Sequence, residues 1–378
     1  MQKFGFIIHP IDVKDVARKF AVASRFPDHV IERVLPLVPA LTTSHITGVQ
    51  SLNGAKAEGW FVSVPLTPRL MMEKLPEAKV IKRIISAGRK AADQGAKIVG
   101  LGAFTSVVGD AGITVANNLD IAVTTGNTFT AATALMGIEY AAQRLEIDLS
   151  RQTIAVLGAS GSIGKACARI LAQKGMQVTI VARDRSRLEE LARLIHEESG
   201  ADVRIETDLS AAVRSAGVVV AVTSAMEAVI DAGDIRPGAI VCDVSRPRNV
   251  SKAVAQQRQD VLVFEGGVVS VPGQVDFGLN FGFPPGTSYA CMAETMILAL
   301  EGRYENYSLG RDLDVAKVRE ISALAEKHGF KLAGLRSFEA AVTNAAFEKV
   351  KAQLHLQKRK TPFLEERPVG TAYGGKTP

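Results

Sequence analysis

The segment from Thr153 to Cys167 constrains the fold of this chain more than any other. Its letters, TIAVLGASGSIGKAC, place an apolar run first, then three glycines spaced G-x-x-G-x-x-G, then the start of a helical pattern. A strand, a glycine turn and a helix in this order let backbone N–H groups approach the pyrophosphate of a dinucleotide. The residues predicted to bind it are Gly158, Ala159, Ser160, Gly161, Ser162, Ile163 and Gly164.

The rest of the chain alternates short β-branched runs with amphipathic stretches, which is typical of an α/β fold. At about 150 residues per domain, 378 residues predict two to three domains. We expect an N-terminal α/β substrate domain over 1–148 and a Rossmann-type, doubly wound parallel sheet over 149–284. C-terminal helices over 285–350 should pack back on the first domain, and 351–378 should form a disordered tail.

Composition excludes several classes of protein. Hydrophobic residues make up 47% of the chain and charged residues 22%, so wholesale disorder is excluded. Apolar runs fall far short of the roughly 20 residues of a membrane span, and no signal peptide is recognisable, so we expect a cytoplasmic protein. The net charge of +6 is modest and dispersed, so no nucleic-acid partner is predicted. The three cysteines show no metal-binding spacing, and no metal site is expected.

The residues after the second predicted strand of the cofactor domain indicate which dinucleotide binds. Arg183 stands about 20 residues after the glycine turn, where NAD-binding proteins place an acidic residue. Guanidinium groups pair well with phosphate, so Arg183, with Arg185 or Arg187, predicts NADPH. The alternative is that these arginines are solvated and Asp184 binds the ribose. Further candidates at strand ends, which could also be simple turns, are Thr223, Ser224, Gly266 and Gly267.

Cys291 is the candidate nucleophile. If Thr287 or Ser288 caps the helix that follows, Cys291 lies in its first turn, where the helix dipole favours a thiolate. Glu294, one turn on, could relay a proton or shape the site. The alternative is a small buried hydrophobe, the role we expect for Cys167 and Cys242.

Several motifs together resemble long-chain acyl-[acyl-carrier-protein] reductases. The motifs are Thr124–Thr128 (TTGNT), the glycine turn, Ala182–Leu188 (ARDRSRL), Ala290–Glu294 (ACMAE) with Leu300–Gly302 (LEG), Leu101–Ser106 (LGAFTS) and Glu326–Phe330 (EKHGF). Their order and spacing also match, and the resemblance extends to about residue 335.

This resemblance implies a reaction. The cysteine matching Cys291 takes the acyl group from an acyl carrier protein as a thioester, and NADPH reduces it to a fatty aldehyde. Candidates for holding the oxyanion are backbone N–H groups at the start of the helix that carries Cys291, or the segment that includes Thr125, Asn127 and Thr128. An aldehyde-consuming enzyme is a possible further partner.

Two features of the first domain could serve that substrate. A basic helix face would suit an acidic carrier, although a solvated face is equally consistent with it. Its residues are Lys79, Lys82, Arg83, Arg89 and Lys90. An apolar slot could include Phe61, Phe104 and Met136.

Three other functions are weighed against this one. Shikimate dehydrogenases share the architecture, but Phe129 follows Asn127-Thr128 where they place an aspartate, and Val64–Thr67 lacks their lysine. Glutamyl-tRNA reductases use an N-terminal cysteine, and none precedes Cys167 here. A non-catalytic NADP-binding regulator with an inert Cys291 remains open.

Overall fold

The computed structural model describes residues 1–19, 25–225, 227–245, 247–279, 282–338 and 340–360. It contains two large sheets, each with parallel strands at its centre, and helices between and around them. The predicted α/β fold is confirmed. Among the described residues, no helix combines the length and apolar character that a bilayer crossing requires.

The first sheet has six strands in the order β13-β2-β3-β1-β4-β5. Strands β1, β3, β4 and β5 are parallel, whereas at one edge β2 runs antiparallel to β3 and β13 runs antiparallel to β2. The strands are β1 (Gln2–Ile8), β2 (Leu41–Gln50), β3 (Lys56–Ser63), β4 (Ile98–Leu101), β5 (Ala122–Thr124) and β13 (Gly273–Asp276).

The second sheet has eight strands in the order β17-β16-β11-β10-β9-β6-β7-β8. They are β6 (Thr153–Leu157), β7 (Gln177–Val181), β8 (Arg204–Glu206), β9 (Val218–Ala221), β10 (Ile240–Asp243), β11 (Leu262–Glu265), β16 (Arg336–Ser337) and β17 (Ala340–Ala341). Chain order reverses between β6 and β9, as in doubly wound nucleotide-binding sheets. A third, small sheet joins β14 (Thr287–Tyr289), β12 (Val268–Ser270) and β15 (Lys331–Leu332).

Twelve helices are described. They are α1 (Val13–Lys19), α2 (Asp28–Val34), α3 (Glu77–Asp93), α4 (Ile113–Ala116), α5 (Asn127–Leu145), α6 (Ser162–Gln173), α7 (Arg185–Ser199), α8 (Leu209–Ser215), α9 (Lys252–Gln257), α10 (Ala290–Glu301), α11 (Val315–His328) and α12 (Asn344–Lys360).

Alternating residues along β6 show why the second sheet is stable. Ile154 and Val156 face a core that contains α5, α6 and α7, whereas Ala155 and Leu157 face a second core formed with α8. A parallel strand buried on both faces is a nearly continuous apolar run, as β6 is from Ile154 to Leu157.

Helices α5 and α10 lie in the core between the two large sheets. Phe4 and Phe61 of the first sheet and Val156 of the second belong to this one cluster with residues of both helices. The far face of the first sheet packs on α3 through side chains such as Ile84. Helix α10, in the C-terminal part of the chain, contacts β1 and β4 of the first sheet.

Three sequence-based expectations need correction. The helix that carries Cys291 begins at Ala290, because Thr287–Tyr289 pairs with β12 as a strand; its N-cap is Tyr289, not Thr287 or Ser288. Strand β13, which the expected limits placed in the cofactor domain, pairs with β2 of the first sheet. Residues 351–360 of the expected disordered tail continue helix α12, and 361–378 lie outside the described residues.

His9, which the sequence analysis did not single out, joins the end of β1 to the segment after β4. Its Nε2 accepts from the backbone N–H of Phe104 at 3.1 Å, and its Nδ1 contacts the carbonyl of Pro10 at 2.9 Å. Burial lowers the pKa of His9 to about 4. The folded protein therefore holds a neutral imidazole with its proton on Nδ1.

The position of α5 predicts a large cost for truncating its buried face. Ile138 is 1% exposed, so Ile138→Ala should lower the free energy of unfolding by about 2 to 5 kcal/mol. The matched control is Met136→Ala, because Met136 lies two residues earlier on the same helix and is 40% exposed. Urea unfolding measures both, and equal small losses would contradict the central packing of α5.

The depressed pKa of His9 predicts a pH dependence of stability. The unfolded imidazole titrates near 6.5 and the folded one near 4, so the unfolded state gains a proton first and stability falls as pH drops from 6.5 towards 4. Unfolding free energies should fall by about 2 to 3 kcal/mol more in the parent protein than in His9→Gln over that range. If the free energies of unfolding of the two proteins fall in parallel with pH, the predicted contribution of His9 is wrong.

Candidate active site

The glycine turn after β6 has the geometry that close approach to a phosphate requires. Gly158 has φ of +81°, and a Cβ there would lie 2.7 Å from the carbonyl oxygen of Val222. A Cβ on Gly164 would lie 2.9 Å from the Cα of Ala159. Helix α6 begins directly after Gly161, its N-cap, without a side-chain cap. Its first N–H groups therefore suit an anion such as a pyrophosphate.

A cleft of about 2530 Å³ runs past this turn and along the carboxyl ends of strands from both large sheets. The predicted cofactor residues that line it are Gly158, Ser160, Gly161, Ser162, Ile163, Arg183, Thr223, Ser224, Gly266 and Gly267. Three others do not line it. Ala159 is fully buried, Gly164 lies within α6, and Arg185 is exposed and pairs with Glu189 at 3.0 Å.

The arginines after β7 are arranged differently from one another. Arg183 and Arg187 both line the cleft. Asp184 caps α7, because its carboxylate accepts from the N–H of Arg187 at 3.3 Å and also pairs with the Arg187 side chain. The Asp184 carboxylate is thus paired with Arg187, whereas Arg183 forms no ion pair with the described residues.

Cys291 is the second residue of α10 and lines the same cleft with a partly exposed side chain. The other two cysteines are fully buried, and burial raises the pKa of Cys167 to about 12. Gly126, with φ of +73°, packs directly on Cys291, since a Cβ at Gly126 would overlap the Cα and Cβ of Cys291. This contact sets the first turn of α5 against the first turn of α10.

Asn127, the first residue of α5, joins this pair of helices to the glycine turn. Its side-chain amide donates to the hydroxyl of Ser162 at 3.1 Å. Its backbone N–H has no acceptor in the described part of the chain. The N-terminal ends of α5, α6 and α10 therefore meet in one region of the cleft, where Thr125 also lines the wall.

Glu294 and Thr128, two further predicted site residues, lie behind the wall of the cleft and not on its surface. Glu294 is fully buried and its carboxylate accepts four hydrogen bonds. Thr128 supplies one of them, at 2.5 Å. Neither side chain is among those that line the space next to Cys291.

The apolar part of the cleft, which lies over the first sheet, is larger than the sequence predicts. Phe61 and Phe104 line it as expected, whereas Met136 faces solvent on α5 and does not. Further lining residues are Phe6, Ile31, Leu35, Val38, Met71, Leu75 and Val108. These residues come from β1, from α2 and from connecting segments that are distant from one another in the sequence. No single sequence motif therefore predicts them.

Comparisons with known proteins agree with the cofactor half of this site. Residues 139–265 match the family model for shikimate/quinate 5-dehydrogenase. The chain is 32% identical over 367 residues to the aminotransferase PigE of a Serratia species, covering 93% of this chain and 42% of that protein. The chain thus spans less than half the length of that relative.

Two other proteins are similar over most of their length. A long-chain acyl-[acyl-carrier-protein] reductase of Synechococcus elongatus is 29% identical over 353 residues, covering 87% of this chain and 98% of that one. The solved structure of L-tryptophan dehydrogenase from Nostoc punctiforme is 14% identical and covers 95% of this chain and 89% of that one, with a TM-score of 0.41. The family match and the strand order show that this chain has the NAD(P)-dependent oxidoreductase fold, with a shikimate dehydrogenase-like NAD(P)-binding region.

Proposed function

We propose that this protein reduces a long-chain acyl thioester to a fatty aldehyde with NADPH, through a thioester on Cys291. The observation that carries the proposal is the position of Cys291 in a cleft that joins a dinucleotide turn to a long apolar wall. An acyl chain needs such a wall, because each buried CH₂ contributes about 0.8 kcal/mol. The similarity to an acyl-[acyl-carrier-protein] reductase supports the same reaction.

The first step would be acyl transfer. The Cys291 sulfur attacks the thioester carbonyl, a new C–S bond forms, and the carrier sulfur leaves as a thiolate and takes up a proton. The tetrahedral intermediate carries an oxyanion, for which the N–H of Asn127 is available beside the cysteine. Thr125 would shape the wall there, whereas Thr128 and Glu294 would act from behind it.

The second step would be reduction at the same carbon. NADPH would supply a hydride when bound at the glycine turn, and Arg183 and Arg187, which line the cleft, would bind its 2′-phosphate. The carbonyl carbon gains that hydride, and the C–S bond to Cys291 breaks to release the aldehyde. The thiolate of Cys291 is regenerated, so atoms and electrons balance without a further reactant.

The carrier of the acyl group would dock by charge. Helix α3 exposes Lys79, Lys82 and Arg89, which form no ion pair with the described residues, whereas Arg83 donates to the carbonyl of Pro36. This face suits an acidic acyl carrier protein. A small hydroxy-acid substrate, as in shikimate dehydrogenases, does not account for the aromatic side chains Phe6, Phe61 and Phe104 that line the cleft, although polar residues such as Thr43 and Ser63 line it as well.

Acylation of Cys291 is the decisive test of this reaction. Mixing the protein with hexadecanoyl-coenzyme A in the absence of NADPH should add one acyl group in intact-mass spectra, and peptide mapping should place it on Cys291. Cys291→Ser should abolish aldehyde formation and still bind NADPH. Aldehyde production at the parent rate by Cys291→Ser would exclude a covalent mechanism.

The preference for NADPH should depend on Arg183. Arg183→Ala should weaken NADPH binding roughly 10- to 100-fold, because a charge-assisted contact with phosphate is lost, and change NADH binding by less than about threefold. Fluorescence titration of each cofactor measures this. Arg193→Ala, at an exposed arginine of helix α7 that follows Arg183 in the chain, serves as the control. Equal losses for both cofactors would show that Arg183 has no phosphate-specific role.

A further inference from the structure

Ser308 has an unusual backbone conformation for its residue type. Its φ is +31°, in the region that favours glycine, and the residue is 3% exposed. A non-glycine residue stays in such a conformation where its surroundings hold it. Here the N–H of Tyr307 donates to the carbonyl of Val123 at 3.0 Å, and the N–H of Gly310 donates to the carbonyl of Ala111 at 3.0 Å. Tyr307, directly before Ser308, and Gly310, two residues after it, are therefore both fixed to the first layer.

This conformation brings Ser308 onto the segment just before α5 and its first turn. The Ser308 carbonyl accepts from the hydroxyl of Thr125. The Ser308 hydroxyl accepts from the backbone N–H of Thr128 at 3.2 Å and donates to the carboxylate of Glu294 at 2.6 Å. One side chain thus links a helix end to a buried carboxylate.

Glu294 completes the same connection. Its Oε1 accepts from the hydroxyl of Thr124 at 2.5 Å, and its Oε2 accepts from the hydroxyl of Thr128 at 2.5 Å and the N–H of Phe129 at 2.8 Å. The N-cap of α5 is Gly126, which has no side chain to cap the helix. Ser308 and Glu294 therefore cap the N–H groups of Thr128 and Phe129 from outside the helix.

We propose that Ser308, together with Glu294, is a positioning residue for acyl transfer to Cys291, an inference that rests on the function proposed above. The external cap fixes the first turn of α5 while Gly126 contacts the Cα and Cβ of Cys291, so Asn127, the next residue, is held close to Cys291. A side-chain cap on residue 126 would overlap Cys291, since even a Cβ does. Glu294 thus acts through α5 and not as a proton relay.

Two reactions of the same sulfur separate positioning from general disruption. Acyl transfer passes through an oxyanion that needs a fixed N–H donor, whereas alkylation by iodoacetamide is a direct displacement with no oxyanion. Loss of the cap should therefore slow the first reaction and leave the second unchanged. The remaining cysteines, Cys167 and Cys242, are fully buried in the folded protein, so both reactions report on Cys291.

The experiment compares the parent protein with Ser308→Ala and Glu294→Gln. The control is Ser322→Ala, which removes a hydroxyl that donates to the carbonyl of Val318 within α11. For each protein, intact-mass spectra give the rate of acylation by hexadecanoyl-coenzyme A and the rate of alkylation by iodoacetamide. Thermal unfolding and NADPH titration show that each variant is folded.

We expect Ser308→Ala to lower the acylation rate about 10- to 100-fold, an effect no larger than the loss of an oxyanion donor. The alkylation rate should stay within about twofold of the parent rate. Acylation of Ser308→Ala at the parent rate, or an equal fall in the rates of acylation and alkylation, would overturn the positioning role. If Glu294→Gln does not fold, Ser308→Ala decides the question. Failure of the parent protein to acylate Cys291 would overturn the proposed function itself and this inference with it.

Discussion

The contact between Gly126 and Cys291 is the constraint on which the site depends. Gly126 has a positive φ and no side chain, which lets the first turns of α5 and α10 touch. The next residue, Asn127, donates a hydrogen bond to Ser162, the first residue of α6. Gly126 and Asn127 together therefore connect the candidate nucleophile with the helix that follows the glycine turn. Because α5 and α10 both lie in the core between the sheets, this arrangement is stabilised by most of the packing of the molecule.

The cleft separates two kinds of chemistry on either side of Cys291. The glycine turn and Arg183 provide backbone N–H groups and positive charge, which suit a phosphorylated dinucleotide. The opposite wall, formed by side chains such as Phe6 and Phe104, suits a hydrocarbon chain. A reaction that brings an acyl carbon to a hydride donor needs both surfaces and a nucleophile between them.

Local patterns predicted the elements that depend on local sequence. Helix α5 and strand β6 begin and end at the predicted residues, because the local sequence pattern identifies the residues that each element buries. The same pattern does not show which other elements pack on those residues. The network around Ser308 joins residues about 180 positions apart, and the start of α10 depends on strand pairing with β12. Such long-range contacts explain why Glu294 was expected in the cleft and lies behind it.

In the proposed reaction the aldehyde arises from the acyl group held on Cys291. A chase experiment tests this directly. Protein acylated on Cys291 is separated from the remaining hexadecanoyl-coenzyme A and is then mixed with NADPH that carries deuterium at the transferred position. We predict that the mass of the adduct disappears at the rate at which aldehyde with one deuterium on its carbonyl carbon appears. An adduct that persists while aldehyde forms, or that is lost as free fatty acid without aldehyde, would contradict the claim.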